Sequence, residues 1–286
     1  MGFFDRLSFG WQLGKRSIGV VLKDKTLMLF PILAGASSLL AILSFIYGVG
    51  PDEITALLRE VEAAESFADI PGTAYALTFI GYFGLYFITI YFNVALLGAA
   101  RMSMAGQDTS VADGMGIANA HMGKIAGWAL LSGSIGLVLN ILESNDKIGR
   151  FVAALLGTAW TVVSYFVIPV MIFEETGPVR AVSRSTRLMR DTWGENLGAQ
   201  FGIGLVLFAV IALTGLVTIL AAIAIPGAAL VTIPILVVTA IVVGLLGTAA
   251  KSVLTVGLYE YATNGTAPDA FGDDELGRAF GARSRS

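Results

Sequence analysis

Four arginines lie in one short polar stretch of an otherwise apolar chain, and their spacing suits phosphate binding. The stretch is residues 174–197, EETGPVRAVSRSTRLMRDTWGENL, and its arginines are Arg180, Arg184, Arg187 and Arg190. On a helix the first three fall within about 60° of one another, and the fourth lies further round. Because a guanidinium binds phosphate through a planar fork, this face predicts contacts with anionic lipid or a partner protein, with Trp193 as an interfacial anchor.

Two other interpretations of these arginines stay open. Basic residues flanking apolar helices set orientation in the membrane, and this role alone would account for them. The same stretch also contains four acidic residues that could pair with the arginines inside the fold, namely Glu174, Glu175, Asp191 and Glu195.

Mild polar residues inside the apolar runs are the second candidate site. Asn93, Asn140, Ser164 and Tyr165 are the ones that would line a cavity near the membrane midplane. Such a cavity would suit an uncharged or amphiphilic solute, as in a permease or channel. The alternative is that the two asparagines only form hydrogen bonds between packed helices.

Residues for enzyme chemistry are scarce. The chain has no cysteine and one histidine, His121, which argues against thiolate chemistry and a multi-histidine metal site. It contains no H-E-x-x-H, Walker A or G-x-S-x-G motif. We therefore expect no enzyme activity, no catalytic residue, no cofactor, no metal and no nucleic-acid partner.

The composition predicts a membrane protein. The chain of 286 residues is 56% hydrophobic and 14% charged, whereas a soluble domain carries about a quarter charged residues. Apolar runs long enough to cross a hydrocarbon core of about 30 Å occur six times. The predicted spans are roughly 27–49, 73–100, 125–142, 150–173, 197–225 and 228–250. Pro169 and Pro234 predict kinks in the fourth and sixth.

The distribution of basic residues predicts the orientation. Fifteen of the 18 lysines and arginines lie in the N-terminal segment, the 101–124 and 174–197 loops and the C-terminal part. The three on the other side are Arg59, Lys147 and Arg150. By the positive-inside rule both termini are cytoplasmic, in a multi-pass protein of the cell membrane.

An amphipathic segment precedes each odd-numbered span. The segments are roughly 3–25, 109–123 and 178–194, and each carries an apolar stripe at helical spacing. In the last segment the stripe is Val179, Val182, Thr186, Met189 and Trp193. We predict three interfacial helices on the cytoplasmic side, each followed by a helical hairpin, so that three such units form one membrane domain over 1–265. Residues 266–286 are expected to form a cytoplasmic tail, which is either disordered or docked through Phe271 and Phe280.

Three quoted stretches carry a resemblance to a known family. They are SFGWQLGKRSIGVVLKDKTLMLFPIL, GTAWTVVSYFVIPVMIFEETGPVRAVSRSTRLMRDTWGENL and LYEYATNGTAPDAFGDDELGRAF. Together they resemble an uncharacterised six-helix integral membrane family of archaea and bacteria, a domain of unknown function. More distantly, Ala181, Arg184 and Ser185 with Trp193 are similar to membrane domains fused to glycerophosphodiester phosphodiesterases. Neither resemblance implies a hydrolase activity here.

The sequence therefore predicts an all-α polytopic bundle of six transmembrane helices and about three interfacial helices. The favoured function is non-enzymatic organisation of lipid, including anionic lipid, or of a protein partner, through the arginine face. A homo-oligomer is also compatible with the sequence. The alternative is a permease or channel that uses an interior cavity.

Overall fold

The computed structural model describes residues 3–63, 69–145, 147–191, 196–225, 227–265 and 268–271. This part of the chain is all-α and contains no strand. Its helices are α1 Phe3–Lys23, α2 Leu29–Val49, α3 Pro51–Ala63, α4 Gly72–Met104, α5 Val111–Ala120, α6 Met122–Asn145, α7 Lys147–Val163, α8 Val167–Phe173, α9 Pro178–Asp191, α10 Asn196–Ala224 and α11 Ala229–Asn264. A short 3-10 turn, Lys25–Met28, joins α1 to α2, and another, Asp269–Phe271, follows α11.

Six segments of the described chain are long and apolar enough to cross a membrane, as predicted. They are Lys25–Val49, Gly72–Met104, Met122–Leu139, Ile148–Phe173, Leu207–Ala224 and Ala229–Asn264. Many large apolar side chains on these segments are exposed on the protein surface, which is the arrangement that contact with lipid tails requires. The sixth segment continues well past residue 250, because residues 252–259 of α11 are mostly buried and keep the helix packed beyond the apolar run.

The fourth segment is two helices rather than one. α7 ends at Val163 and α8 begins at Val167, so a turn separates them. Pro169 has no N–H and its ring would collide with the carbonyl four residues earlier, which prevents a straight helix. The backbone N–H of Phe166 is freed by the turn and donates to Ser185 Oγ at 3.0 Å. The predicted kink at Pro169 is thus a helix break, whereas α11 runs through Pro234 as one helix.

One element was not predicted. Between the first two spans, Pro51–Ala63 forms helix α3. Its apolar residues Ile54, Leu57, Leu58 and Val61 face a groove of about 280 Å³ against the adjoining ends of α2 and α4. The acidic residues dominated the sequence pattern, and the i, i+3, i+4, i+7 spacing of the four apolar residues was the missed signal.

The helices form a closed ring of three similar units. Each unit is an amphipathic helix followed by a hairpin: α1 with α2 and α4, α5 with α6 and α7–α8, and α9 with α10 and α11. Each amphipathic helix packs against the hairpin of the preceding unit. Thus α5 packs on α4, α9 packs on α7 and α8, and α1 packs on α10 and α11. α1 therefore closes the ring between the last unit and the first.

The second helix of each hairpin supplies the core. Residues 90–104 of α4, residues 166–172 around α8 and residues 249–259 of α11 contain most of the buried side chains. These segments meet at the end of the bundle that also carries α1, α5 and α9. We name this end the inner end; the distribution of basic residues predicts that it is cytoplasmic.

The face that α9 buries differs from its predicted apolar stripe. In α9 the buried side chains are Ala181, Ser185, Leu188 and Met189, whereas Val179 is 74% exposed. Among the described residues of that stripe, only Met189 is buried. The small residues at 181 and 185 let α9 approach α8 closely, and close approach, rather than hydropathy, decides the buried face.

The packed bundle continues past residue 265. Phe271 is fully buried, and an added Cβ on Gly257 would lie 2.8 Å from its ring. Gly257 is therefore the residue that admits this ring against α11. Burial of Phe271 agrees with docking, one of the two alternatives left open for the tail, while Phe280 and the rest of 272–286 lie outside the described residues.

Candidate functional site

The arginines of α9 are divided between two roles. Arg184 Nε donates to both carboxylate oxygens of Glu174, at 3.0 and 3.2 Å. Arg180, Arg187 and Arg190 are exposed, and none of them makes an ion pair with a described side chain. The structure thus removes Arg184 from the predicted lipid face and leaves the other three on it. Trp193 lies outside the described residues.

Glu174 holds three elements together at the inner end. Besides Arg184 of α9, it accepts a hydrogen bond from the Tyr259 hydroxyl of α11 at 3.1 Å, and it directly follows α8. A neighbouring ion pair joins α4 to α11, with Arg101 Nε donating to Glu260 Oε1 at 2.6 Å. The Arg101 guanidinium also lies 4.3 Å from the ring centroid of Phe173, a cation–π contact.

Glu175 binds two basic residues of the second unit. Its carboxylate pairs with Lys124 of α6 and, at 2.9 Å, with His121 Nε2. The other ring nitrogen of His121 lies 2.7 Å from the carbonyl of Ile117. The two contacts hold the imidazole ring between the end of α5 and Glu175. The Lys124 ammonium, followed by the His121 hydrogen bond, lowers the pKa of Glu175 below its ordinary value of 4.5.

A cavity of about 430 Å³ lies on the membrane side of the packed core. Residues of the second helix of all three hairpins line it, together with residues of α6. The lining residues are Tyr86, Thr89, Ile90, Asn93 and Leu97 of α4, Trp128 and Ser132 of α6, Trp160 of α7, Ser164 and Tyr165 of the α7–α8 turn, Ile168 and Pro169 of α8, and Thr248, Lys251, Ser252 and Thr255 of α11.

Three of the four predicted cavity residues line this one cavity. Asn93, Ser164 and Tyr165 come together there, although they are far apart in sequence. The side chain of Asn140 is outside the described part of the structure, and its place on α6 is about 12 Å beyond Ser132. Asn93 and Lys251 are each about 32 Å along their helices from the first residues of α4 and α11. Their depth in a membrane stays a prediction.

Three polar groups of the cavity have no protein partner within the described residues. The Ser132 hydroxyl oxygen is buried and makes no hydrogen bond. The Asn93 amide and the Lys251 ammonium likewise have no hydrogen-bond or ion-pair partner among described groups. Buried polar groups are nearly always hydrogen-bonded, so the Ser132 hydroxyl needs a partner that a molecule in the cavity could supply. Asn93 is half-buried and Lys251 is exposed, so both are accessible to such a molecule. Most other hydroxyls of the lining donate to backbone carbonyls of their own helices, as Thr89 and Thr248 do.

Sequence reasoning missed the aromatic wall of the cavity. Trp128 and Trp160 stack with ring centroids 5.6 Å apart. The signal for these residues is the position of two tryptophans inside apolar spans, where an indole N–H needs a partner and the ring offers an amphipathic surface.

Close packing is lacking between α7 and α11, the two helices that flank one side of the cavity. α4 packs closely against both α6 and α11, whereas α7 and α11 are not closely packed. Near the inner end, the α7–α8 turn and α8 reach α11 through a hydrogen bond between Thr255 and Tyr165 and ring contacts of Phe166 and Phe173 with Tyr259. Farther out, exposed apolar residues such as Leu156 of α7 and Val242 of α11 are available to lipid.

Metal binding finds no support in the described residues, which contain no cluster of three or more His, Cys, Asp or Glu side chains placed to hold an ion. The cavity instead offers a cation, an amide, hydroxyls and two indoles. This set of groups can bind an amphiphile by hydrogen bonds, charge and stacking, and it contains no nucleophile paired with a base.

Comparison with known proteins gives a family but no function. A profile described as "Family of unknown function (DUF6159)" matches residues 72–269, which is more than half of the chain. No curated protein and no solved structure matches, so the similarity to membrane domains of glycerophosphodiester phosphodiesterases gains no support. With its all-helical ring and six apolar segments, the chain belongs to the DUF6159 family of unknown function.

Proposed function

We propose that this protein binds an amphiphilic molecule in the cavity between α4, α6, α7–α8 and α11, and that it acts as a carrier or permease for that molecule. The observation that supports this most directly is the cavity itself. It is built by all three units of the ring, and it combines partnerless polar groups with stacked indoles. Amphiphile sites are mostly apolar with a few polar groups that fix orientation, and this lining fits that description.

We place the binding site in the cavity rather than on the arginine face because polar side chains of the cavity need hydrogen-bond partners. A bundle that only needed to pack would gain stability from apolar residues at positions 93 and 132. Asn and Ser at these positions have a cost unless a bound molecule satisfies them. A ligand that accepts from Asn93 and Ser132 while its apolar part lies on Trp128 and Trp160 removes that cost.

Two matched substitutions on α6 test the binding step. Ser132→Phe fills the cavity and removes no existing hydrogen bond. Ser134→Phe places the same side chain on the exposed face of the same helix. Each protein is released from nanodiscs of phosphatidylcholine and phosphatidylglycerol, and bound lipid is counted by native mass spectrometry. We expect the wild type and Ser134→Phe to retain a lipid that Ser132→Phe loses. Equal retention by both variants would overturn the proposal.

The carrier step is tested in vesicles. Phosphatidylcholine vesicles that contain tail-labelled fluorescent phosphatidylcholine and phosphatidylglycerol are treated with an impermeant reductant. We expect the wild type to expose inner-leaflet label faster than protein-free vesicles do, and Ser132→Phe to match protein-free vesicles. A wild type that binds lipid but leaves the inner-leaflet label protected would contradict carriage.

A second candidate function follows from the exposed face of α9. Arg180, Arg187 and Arg190 have no described ion-pair partner, and three guanidinium groups beside an anionic surface attract lipid phosphate. Through this face the protein would organise anionic lipid or an acidic partner. Changing all three to Gln is expected to lower the number of bound phosphatidylglycerol molecules.

The control for this second candidate removes the same charge from the same end. Lys15, Lys23 and Lys25 are exposed lysines at the inner end, and changing them to Gln alters the net charge equally. If both triple variants lose the same amount of lipid, general charge explains the binding and α9 is not a site.

A further inference from the structure

We infer that the ligand of the cavity is an anionic phospholipid, whose phosphate-bearing head group lies beside Lys251 and whose tails leave the cavity between α7 and α11. This inference rests on the proposed function and specifies its substrate class. Three observations support it: the charge of the lining, the depth of Lys251, and the lack of close packing between α7 and α11.

The charge of the lining selects an anion. Lys251 is the one charged side chain among the described lining residues, and no carboxylate among them opposes it. Asn93 and Ser132 add an amide N–H₂ and a hydroxyl that are free to donate. A phosphate offers only acceptors and negative charge, so it satisfies all three groups at once.

The depth of the site matches a head group of the inner leaflet. Lys251 follows the start of α11 by 22 residues, which corresponds to about 33 Å of helix and therefore to the far boundary of the hydrocarbon core. Tryptophan and tyrosine side chains favour the same level, and the lining includes Trp128, Trp160 and Tyr165. A soluble anion has no need of a site at this depth, whereas a lipid phosphate already lies there.

The lack of close packing between α7 and α11 indicates access from the bilayer. Toward the inner end the cavity is closed by the buried core of α4, α8 and α11 and then by the Arg101–Glu260 and Arg184–Glu174 pairs. Toward the side, α7 and α11 leave an opening flanked by exposed apolar side chains. A molecule that enters from the bilayer brings its tails with it, and lipid tails fit that apolar opening.

The absence of cysteine from the chain allows a charge-restoration test. Lys251→Cys removes the ammonium, and reaction of the purified protein with aminoethyl methanethiosulfonate returns a positive charge at the same place. The sulfonatoethyl reagent places a negative charge there, and methyl methanethiosulfonate adds none. All proteins carry Arg180, Arg187 and Arg190 changed to Gln, so that lipid at α9 does not contribute. The readout is bound phosphatidylglycerol against phosphatidylcholine by native mass spectrometry, from an equimolar mixture.

We expect a preference for phosphatidylglycerol of about fivefold, the factor that one basic residue near an anionic head group supplies. Lys251→Cys should lose it, the aminoethyl adduct should regain it, and the other two adducts should not. An unchanged preference in Lys251→Cys would overturn the inference, yet the loss of all lipid in Ser132→Phe would still support the proposed function. If Lys251→Cys keeps the preference and Ser132→Phe keeps its bound lipid, both the inference and the proposed function are overturned.

A further variant and a competition experiment also test the inference. If Lys251→Cys fails to fold, Asn93→Asp introduces a negative charge into the lining at nearly constant shape, and it should also reduce the preference. Inorganic phosphate at millimolar concentration distinguishes a lipid from a free anion. Phosphatidylglycerol should remain bound in its presence, and displacement by phosphate alone would show a free-anion site and contradict the inference.

Discussion

At the scale of single residues, two adjacent glutamates organise the inner end. Glu174 accepts hydrogen bonds from Arg184 and Tyr259, while Glu175 contacts His121 and pairs with Lys124. Glu175 has a φ of 54°, a left-handed conformation that costs a non-glycine residue energy and is uncommon. The four partners lie on α5–α6, α9 and α11, so the pair joins the second unit of the ring to the third.

Replacing Glu174 with Gln should weaken the inner end. The change keeps the shape but removes the charge that the Arg184 guanidinium faces, and we expect a loss of about 1–2 kcal/mol because both side chains are partly exposed. The measurement is the free energy of unfolding in mixed detergent micelles. Glu60→Gln on the exposed surface of α3 is the matched control, and equal effects of the two would contradict the assigned role.

The Glu175 cluster predicts a pH dependence with a definite sign. Its partners hold the pKa of Glu175 below 4.5 in the folded protein. A lowered pKa means that the stabilisation is complete above 4.5 and is lost as the pH falls through the folded value. The stability difference between wild type and Glu175→Gln should therefore be constant from pH 7 to 5 and shrink below 4.5. A difference that grows in acid would refute this assignment.

At the scale of elements, α5 shows how a glycine sets helix packing. An added Cβ at Gly114 would lie 2.5 Å from Phe30 Cζ and 2.8 Å from the carbonyl oxygen of Ala95. Gly116, two residues further along and on the opposite side of the same helix, has nothing within 4 Å. The backbone oxygen of Ala95 cannot move aside as a side-chain end can, so α5 depends on Gly114 to reach α4.

Substitution by alanine should affect the stability of the protein differently at these two glycines. Gly114→Ala should destabilise the protein by about 1–3 kcal/mol through overpacking. Gly116→Ala should leave stability unchanged or raise it by up to about 1 kcal/mol, because alanine favours the helix. Unfolding of both variants in detergent micelles checks this pair. A neutral Gly114→Ala would show that α5 and α4 are not closely packed.

The sequence was sufficient for the elements whose signal is local. Long apolar runs predicted the six spans, and Pro169 predicted a disturbance of the fourth. The cavity could not be predicted from local sequence in this way. Asn93, Ser132 and Lys251 lie close together only because the helices pack in a ring, and the residues next to each of them in sequence do not indicate this contact. The face of α9 that is buried in the protein was not predicted, because Ala181 and Ser185 are small rather than apolar, and packing distance is not visible in hydropathy.

At the scale of the whole molecule, ring closure by α1 places α1 and the Asp269–Phe271 turn at the inner end. α1 packs on α10 and α11, and Phe271 docks on α11 beside it. If the inner end is cytoplasmic, fluorescent-protein fusions at either terminus should fluoresce in a bacterial host, and alkaline phosphatase fused there should be inactive. Phosphatase inserted after Ala63 should be active. The reverse pattern would place the arginines and the inner end outside.

The central claim is that the cavity holds an anionic phospholipid, and an electron cryomicroscopy map of the protein in nanodiscs of mixed phosphatidylglycerol and phosphatidylcholine tests it most directly. The account predicts a forked density with its head group against Lys251, Asn93 and Ser132 and its tails passing between α7 and α11. The same density should be missing in Ser132→Phe. A cavity that contains only isolated water peaks in the wild type, with lipid density confined to the outer surface of the ring, would contradict the claim.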